Sequence, residues 1–161
     1  MRLAEQTKIV PLIAPADHNA AGKDSDSFSM ENYGHATILI ILGALTGNSD
    51  LIFHEGKTVG AKTTPINFSY RWTSAAIEAA ADADKLAAEI KTTVAATGLE
   101  LTGASYLNHM LVVEIDDSEL TDLYPWITFN IDADATTLFV SAVAILSQPR
   151  YAQNVPPTAI V

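Results

Sequence analysis

Short segments in which apolar and polar residues alternate with a period of two recur along the whole chain. In residues 66–72 every second side chain is apolar, and three of these are aromatic, whereas Asn67, Ser69 and Arg71 fall between them. Successive side chains of a β-strand point to opposite faces of the sheet, so this period is typical of a strand. The segment predicts a half-buried strand with an aromatic inner face.

Similar patterns predict strands in most of the chain. Residues 124–131 alternate in the same way, and residues 137–147 are apolar on both faces, which predicts a central strand covered on both sides. An edge strand is predicted over residues 8–13, interrupted at Pro11. The other predicted strands are 36–45, 51–58 and 110–115, and turn residues separate the strands at 22–27, 46–50 and 60–65.

Residues 74–93 are rich in alanine and leave two predictions open. Ser74 could cap a helix of about fifteen residues, whose apolar positions recur at near-helical spacing. However, Asp82 and Asp84 interrupt this stripe, and no large apolar side chain lies between Ile77 and Leu86. A long loop with a strand segment is the alternative. Residues 117–122 predict a single helical turn.

Strands spaced through the whole length, with at most one short helix, predict a mainly β fold of the β-sandwich type, jelly-roll-like, with extended terminal arms. A chain of 161 residues has the length of a single domain. We expect an N-terminal arm and edge strand over 1–15, one β-sandwich domain over 16–150, and a C-terminal arm over 151–161. Pro156 and Pro157 favour an extended arm, and its apolar residues 159–161 predict that it docks on a neighbouring subunit.

Composition excludes several classes of function. The chain has no cysteine, which excludes disulfides, a cysteine nucleophile and thiolate metal sites. Its 19 acidic and 9 basic side chains argue against a nucleic-acid partner, because phosphate contacts need a basic face. Residues 92–149 contain eight acids and no lysine or arginine, which favours a basic protein partner. The longest apolar stretch has ten residues and no signal-peptide pattern is present, so we expect a cytoplasmic product with no membrane partner.

No metal site is predicted. The calcium-loop pattern of Asn130, Asp132 and Asp134 is incomplete, because Ala135 stands where the loop needs glycine and Ser141 where it needs glutamate. We predict a polar turn there, and whether Asp132 and Asp134 bind an ion stays open. No two of the four histidines have the spacing of metal ligands; they are His18, His35, His54 and His109. The acidic run over 116–122 predicts a solvated turn.

No catalytic residue or cofactor is predicted either. Residues 56–58 resemble the end of a phosphate loop, but Leu51 occupies the position of its first glycine. No nucleophile motif is present. A carbohydrate-stacking platform would need exposed aromatics, whereas Tyr70 and Trp72 share a face with Ile66 and Phe68. Core packing is therefore predicted for these two aromatics.

Three stretches, about half of the chain, carry a family resemblance. They are residues 8–15 (KIVPLIAP) with 33–42 (YGHATILIIL); residues 66–72 (INFSYRW); and residues 111–120 (LVVEIDDSEL) leading through 124–131 into 137–152 (TLFVSAVAILSQPRYA). In this order they resemble small virion proteins of tailed bacteriophages that act as head decoration, or cement, proteins. The alanine-rich residues 74–97 depart from that pattern.

The resemblance implies a function without chemistry. It implies a virion structural protein that is not an enzyme and has no cofactor or metal, that binds the major capsid protein on the capsid surface, and that forms a homotrimer. Two alternatives stay open. One is another virion role, such as a head-fibre base or a tail protein, and the other is a carbohydrate-binding module or hydrolase.

Overall fold

A computed structural model describes residues 7–18, 22–78, 81–132 and 136–150. Over these residues the chain forms two antiparallel β-sheets whose inner side chains join in one hydrophobic core. The predicted mainly β sandwich is confirmed. Residues 1–6 and 151–161, which include most of the predicted arms, lie outside the described residues.

The first sheet contains six strands. Their spatial order is β1 (Lys8–Asp17), β12 (Thr137–Pro149), β4 (Tyr33–Thr46), β10 (Met110–Asp116), β7 (Ser69–Trp72) and β8 (Ile90–Lys91). Among the described strands β1 therefore lies at one edge. Its pairing with β12 is shifted between Pro11 and Ile13, close to the interruption predicted at Pro11.

The second sheet is built from shorter strands. It has the order β2 (Lys23–Asp24), β11 (Trp126–Ile131), β5 (Asn48–Gly56) and β6 (Thr64–Ile66), with β3 (Phe28–Ser29) also on β11 and β9 (Leu99–Thr102) also on β5. Helical structure in the described residues consists of α1 (Gly103–Tyr106) and a 3-10 turn, η1 (Asp117–Glu119). The 3-10 turn lies within the helical turn predicted over residues 117–122.

Residues 66–72 form two strands in place of the single predicted one. Strand β6 ends at Ile66 in the second sheet, and β7 begins at Ser69 in the first, so the chain crosses the core at Asn67 and Phe68. The predicted aromatic inner face is nevertheless present, because Phe68 is fully buried and Tyr70 is 7% exposed. The alternating pattern of residues 66–72 shows which side chains face the core, but it does not show which sheet each half of the segment joins.

Strand β12 is central in its sheet, but the prediction that both its faces are covered is wrong. Its inner side chains, from Leu138 to Leu146, are buried, whereas Phe139 on the other face is 46% exposed. Val143 and Ile145 on that face are half-buried. Burying both faces needs a layer on each side, and the described residues supply a second sheet on one side only.

The alanine-rich segment follows the second of its two predictions. Within the described residues it is a loop that contains strand β8 and an isolated bridge between Thr73 and Leu86. Its backbone amides bond along β7, since the N–H of Ala87 donates to the Trp72 carbonyl at 2.8 Å and that of Thr92 to the Phe68 carbonyl at 3.0 Å. Because the segment has few large apolar side chains, a helix here would bury little surface, and pairing with β7 satisfies the backbone instead.

Among the described residues, the core contains one buried carboxylate. Glu55 on β5 is 1% exposed and accepts hydrogen bonds from the Thr121 backbone N–H at 2.7 Å and from the Thr121 hydroxyl at 2.5 Å. A buried carboxylate needs such partners, because removing its hydration is costly. These two bonds fasten the loop before β11 to the second sheet.

Candidate interaction surfaces

The outer side of the first sheet carries a row of apolar side chains across four neighbouring strands. Strand register places Pro11 opposite Val143, Val143 opposite Leu39, and Leu39 opposite Val112. A second row places Ile9 opposite Ile145. We define the apolar face as Ile9, Pro11, Leu39, Ile41, Val112, Phe139, Val143 and Ile145.

Several side chains of the apolar face are open to solvent. Ile9 is 43% exposed, and Ile41 and Phe139 are each 46% exposed. A shallow groove of about 230 Å³ lies beside Ile41, Gly43 and Phe139. At Gly43 an added Cβ would lie 3.0 Å from the Phe139 Cβ, so glycine leaves room for the ring to pack on the sheet. Contiguous apolar surface of this kind marks a site of interaction, because covering it removes apolar area from water.

A polar cluster borders the apolar face on the same side of the sheet. Pairing of β4 with β10 sets His35 opposite Asp116 and Thr37 opposite Glu114. The His35 Nδ1 lies 2.8 Å from Asp116 Oδ1, and its Nε2 lies 2.6 Å from Glu114 Oε2. The Thr37 hydroxyl donates to the same Glu114 oxygen at 2.9 Å. Both ring nitrogens thus face carboxylate oxygens, which suits an imidazolium that donates from both.

The pKa of His35 is raised above its ordinary value. Burial alone lowers this pKa, but the hydrogen bonds to Asp116 and Glu114, together with their negative charges, outweigh it. Other charged side chains line the adjoining cleft, namely Arg71, Glu89 and Glu119. Arg71 is bonded to Glu89 at 2.8 Å, and Glu119 to Lys91.

The substitution His35→Gln is expected to change how stability depends on pH. A histidine with a raised pKa in the folded state stabilises the fold fully below its unfolded pKa of about 6.5, and this contribution is lost as pH rises through the folded value. The stability difference between wild type and variant should therefore be largest below about pH 6.5 and shrink as the pH rises above it. Urea unfolding at a series of pH values measures it.

His18→Gln is the matched control for that experiment. The ring of His18 lies 3.3 Å from the Ala14 carbonyl oxygen and has no carboxylate partner among the described contacts. Its replacement removes an imidazole without touching either carboxylate, so the same unfolding series shows what the loss of a histidine alone does to the fold. A His35→Gln variant whose stability difference from wild type stays constant over this pH range would show that the two carboxylates do not hold the proton on His35.

A second apolar surface belongs to the alanine-rich loop. Its four largest apolar side chains are each exposed by between 38% and 54%; we define the loop surface as Ile77, Leu86, Ile90 and Val94. Hydrogen bonds to β7 and to the turn before β10 hold the loop in place, including that from the Ile77 N–H to the Asn108 carbonyl at 2.7 Å. The loop surface is thus attached to the sandwich at several points.

A polar cleft of about 500 Å³ lies where the described chain ends at Arg150. Trp126 and Leu123 line it, and Arg150 bonds to Asp117 there. Leu123 is 83% exposed and has a φ of 71°. A leucine in the left-handed region is strained, because its Cβ crowds the following carbonyl oxygen. The cleft contains both charged and apolar side chains.

Among the described residues, Asp132 of the incomplete calcium loop and three of the histidines, His18, His35 and His109, contact different groups, whereas the buried Nδ1 of His54 has no hydrogen-bond partner. Asp132 Oδ1 accepts the Asp50 N–H at 2.8 Å, and Asp134 lies outside the described residues. His109 Nδ1 lies 2.8 Å from the Thr73 carbonyl oxygen, which is not one of the groups that contact His35. No group of three His, Asp or Glu side chains within residues 7–18, 22–78, 81–132 and 136–150 is arranged so that it could hold a metal ion. Three acidic side chains of residues 116–122 contact different partners. Asp116 contacts His35, Asp117 contacts Arg150, and Glu119 contacts Lys91.

The four aromatic residues Tyr70, Trp72, Tyr124 and Trp126 lie in two separate parts of the molecule. Tyr70 and Trp72 stack with ring centroids 6.0 Å apart, and the Trp72 ring meets Tyr106 edge-on at 5.9 Å. The predicted core packing of Tyr70 and Trp72 is what the structure has. Tyr124 and Trp126 lie half-buried on another part of the molecule, with Lys57 Nζ 5.1 Å from the Tyr124 ring centroid. The four rings therefore form no common platform.

The His35 cluster is the feature that sequence reasoning missed. His35 is 79 residues from Glu114 and 81 from Asp116, and only the β4–β10 register brings them together. The available signal was weak: Glu114 lies in the predicted strand 110–115, and Asp116 directly follows that strand, so both would share a face only if the strand continued. Nothing in the sequence identified β4 as the neighbour of that strand.

None of the helices in the described part of the chain has the length and apolar character needed to cross a membrane.

A scan against protein-family models finds no family that matches the chain, and a search of curated proteins finds no significant match.

Proposed function

We propose that this chain is a structural protein of a tailed-bacteriophage virion, a head decoration protein that binds the outer surface of the capsid as a homotrimer and stabilises the shell. The observation that carries the proposal is the presence of two separate exposed apolar surfaces, the apolar face and the loop surface, on a hydrogen-bonded β-sandwich. Phe139 is 46% exposed and Val94 is 54% exposed. Groups of exposed apolar side chains such as these mark sites of protein–protein contact.

The family resemblance supports the same function. Its three stretches supply β1 and β4, β6 and β7, and β10 to β12. Five of these strands are neighbours in the first sheet, which carries the apolar face. The resemblance and the exposed apolar surface thus concern the same part of the molecule.

Two surfaces suit a protein that must bind both other copies of itself and the capsid shell. In this proposal the loop surface contacts the major capsid protein, and the apolar face serves contacts between copies. Many equivalent contacts on a lattice add up, so each one needs only modest affinity. The net charge of −10 favours a shell site with basic side chains.

Capsid binding tests the proposal directly. Purified protein is mixed with undecorated capsids of the phage that encodes it, and binding is measured by co-sedimentation and negative-stain microscopy. We expect binding over the whole shell and a gain in the temperature at which the capsid opens. The double variant Ile90→Asp, Val94→Asp should weaken binding by at least about tenfold, because it places two charges in the contact.

Val59→Asp is the control variant for capsid binding. Val59 is 45% exposed in the loop between β5 and β6, away from both surfaces, so its replacement should leave binding unchanged. Binding at a single vertex only would replace the proposal with a head-fibre base. Binding of glycans without capsid binding would replace it with a carbohydrate-binding module.

A further inference from the structure

We propose that the Leu123 side chain inserts into an apolar pocket of the capsid shell whose rim carries lysine or arginine. The turn that presents this side chain consists of residues 121–124, and we define it as the Leu123 turn. The inference rests on the proposed function, since it takes the shell as the partner, and it adds a contact that neither the apolar face nor the loop surface supplies. Its basis is an exposed leucine that the fold holds in an unfavourable backbone conformation.

Leu123 occupies a backbone position that does not suit leucine. The Tyr124 N–H donates to the Thr121 carbonyl oxygen at 3.0 Å, which closes a β-turn with Leu123 in its third position. The φ of 71° is what a type II turn requires there, and glycine or asparagine usually fills that position. Leu123 is also the most exposed large apolar side chain of the described residues, at 83%. Strained residues cluster at functional sites, so a partner that uses the side chain explains a leucine here.

Contacts on both sides hold the Leu123 turn in place. On one side, the buried Glu55 carboxylate accepts the N–H and the hydroxyl of Thr121. On the other side, the Met30 N–H donates to the Pro125 carbonyl oxygen at 2.8 Å. A side chain on a fixed turn loses little conformational freedom on binding, which favours affinity.

The charges near Leu123 specify the rim of the pocket that receives it. Leu123 lines the cleft of about 500 Å³, whose charged side chains are Glu31, Asp117, Asp122, Lys57 and Arg150. Arg150 is bonded to Asp117. The exposed side chains of Glu31 and Asp122 have no hydrogen bond or ion pair within the part of the chain that the structure describes. These two carboxylates outnumber Lys57, so a basic rim is attracted to the cleft and an acidic rim is repelled.

The 3-10 turn η1 connects this cleft with the loop surface, which is the proposed capsid contact. Asp117 of η1 lines the same cleft as Leu123. Glu119, at the other end of η1, is bonded to Lys91, the neighbour of Ile90 in the loop surface. One partner can therefore cover the loop surface and the Leu123 turn together, which removes more apolar area from water than the loop surface alone.

Capsid binding by two variants of one position tests the inference. Leu123→Gly removes the apolar side chain and supplies a residue that the turn prefers, whereas Leu123→Met keeps an apolar side chain. In co-sedimentation with undecorated capsids, Leu123→Gly should bind at least about tenfold more weakly than wild type, and Leu123→Met nearly as well as wild type. Val59→Gly is the control, because Val59 is 45% exposed and does not line the cleft. It should bind like wild type.

The basic rim has a test of its own. Asp122→Asn should weaken capsid binding at low ionic strength and have little effect in about 1 M salt, where the screening length falls to about 3 Å. Glu100→Gln is the matched control, since the Glu100 carboxylate is bonded to Asn48 on the second sheet. Equal effects of the two variants, or an effect of Asp122→Asn that persists in high salt, would overturn the basic rim.

A photo-crosslinking amino acid in place of Leu123 identifies the partner directly. We expect cross-links to the major capsid protein when the labelled chain is irradiated on capsids. Cross-links only to other copies of this chain would overturn the inference.

Urea unfolding of the free protein checks that Leu123 does not stabilise its own fold. The midpoint of Leu123→Gly should be no lower than that of wild type, because relief of the left-handed backbone at least matches the chain entropy that glycine adds to the unfolded state. A lower midpoint would overturn the inference. Equal capsid binding by Leu123→Gly and wild type would also overturn it and leave the proposed function intact. A wild-type chain that does not bind capsids would overturn both.

Discussion

Replacing Phe129 with alanine is expected to lower the free energy of unfolding by about 3–5 kcal/mol. Phe129 on β11 is fully buried, directly opposite Phe53 on β5, with ring centroids 4.9 Å apart. Phe53 in turn packs on Phe68 at 4.7 Å. Loss of the ring removes its transfer free energy and leaves a cavity between rigid strands that cannot close over it.

Urea unfolding at low protein concentration measures this loss, with Phe139→Ala as the control. Phe139 is the same residue type but is 46% exposed on the outer face, so its truncation should cost well under half as much. A domain has only about 5–15 kcal/mol of stability in total, so the Phe129 variant should unfold at a much lower urea concentration. Equal losses in the two variants would contradict the placement of Phe129 in the core.

Gly98→Ala is the second substitution with a large expected effect. Gly98 has a φ of 60°, and an added Cβ would lie 2.1 Å from the Leu51 carbonyl oxygen. Left-handed backbone costs an alanine about 1–2 kcal/mol, and displacement of packed backbone costs about 1–3 kcal/mol more. We expect a total loss of about 2–5 kcal/mol, because β9 begins at Leu99 and pairs there with Leu51 of β5.

Gly60→Ala separates the two contributions. Gly60 has a similar φ of 73°, but an added Cβ would meet nothing within 4 Å. Gly60→Ala should therefore lower the free energy of unfolding by about 1–2 kcal/mol in the same assay, which is the cost of left-handed backbone alone. If Gly98→Ala proved no more costly than Gly60→Ala, β9 would have to move away from β5 without loss of stability.

The strands and their inner faces were predictable because alternation is local. Residues 36–45 and 110–115 fall within β4 and β10, and the alternate side chains of residues 127–131 are buried as expected. The alanine-rich segment was not decided by its sequence, since both a helix and a loop fitted its spacing. The neighbouring strand β7, which takes up its backbone hydrogen bonds, settled the choice.

The candidate surfaces were less predictable than the strands. The apolar outer residues of 137–147 were expected to be covered, and in the structure they contribute to the apolar face. The sequence shows that such a strand has two apolar faces but not how many layers the molecule has. The His35 cluster was missed for a related reason, because its histidine and its carboxylates lie on different strands.

By itself, the sequence determined that the chain is mainly β, which residues of the alternating strands face the core, and that the aromatics of residues 66–72 pack inside. These properties depend on side chains two residues apart, a distance that the strand backbone sets. The tertiary structure alone decided that residues 66–72 cross between sheets, that one side of β12 stays open to solvent, and that His35 meets Glu114 and Asp116. Those features depend on which strands pair and in what register, and pairing joins residues far apart in the chain whose mutual contacts leave no local periodicity.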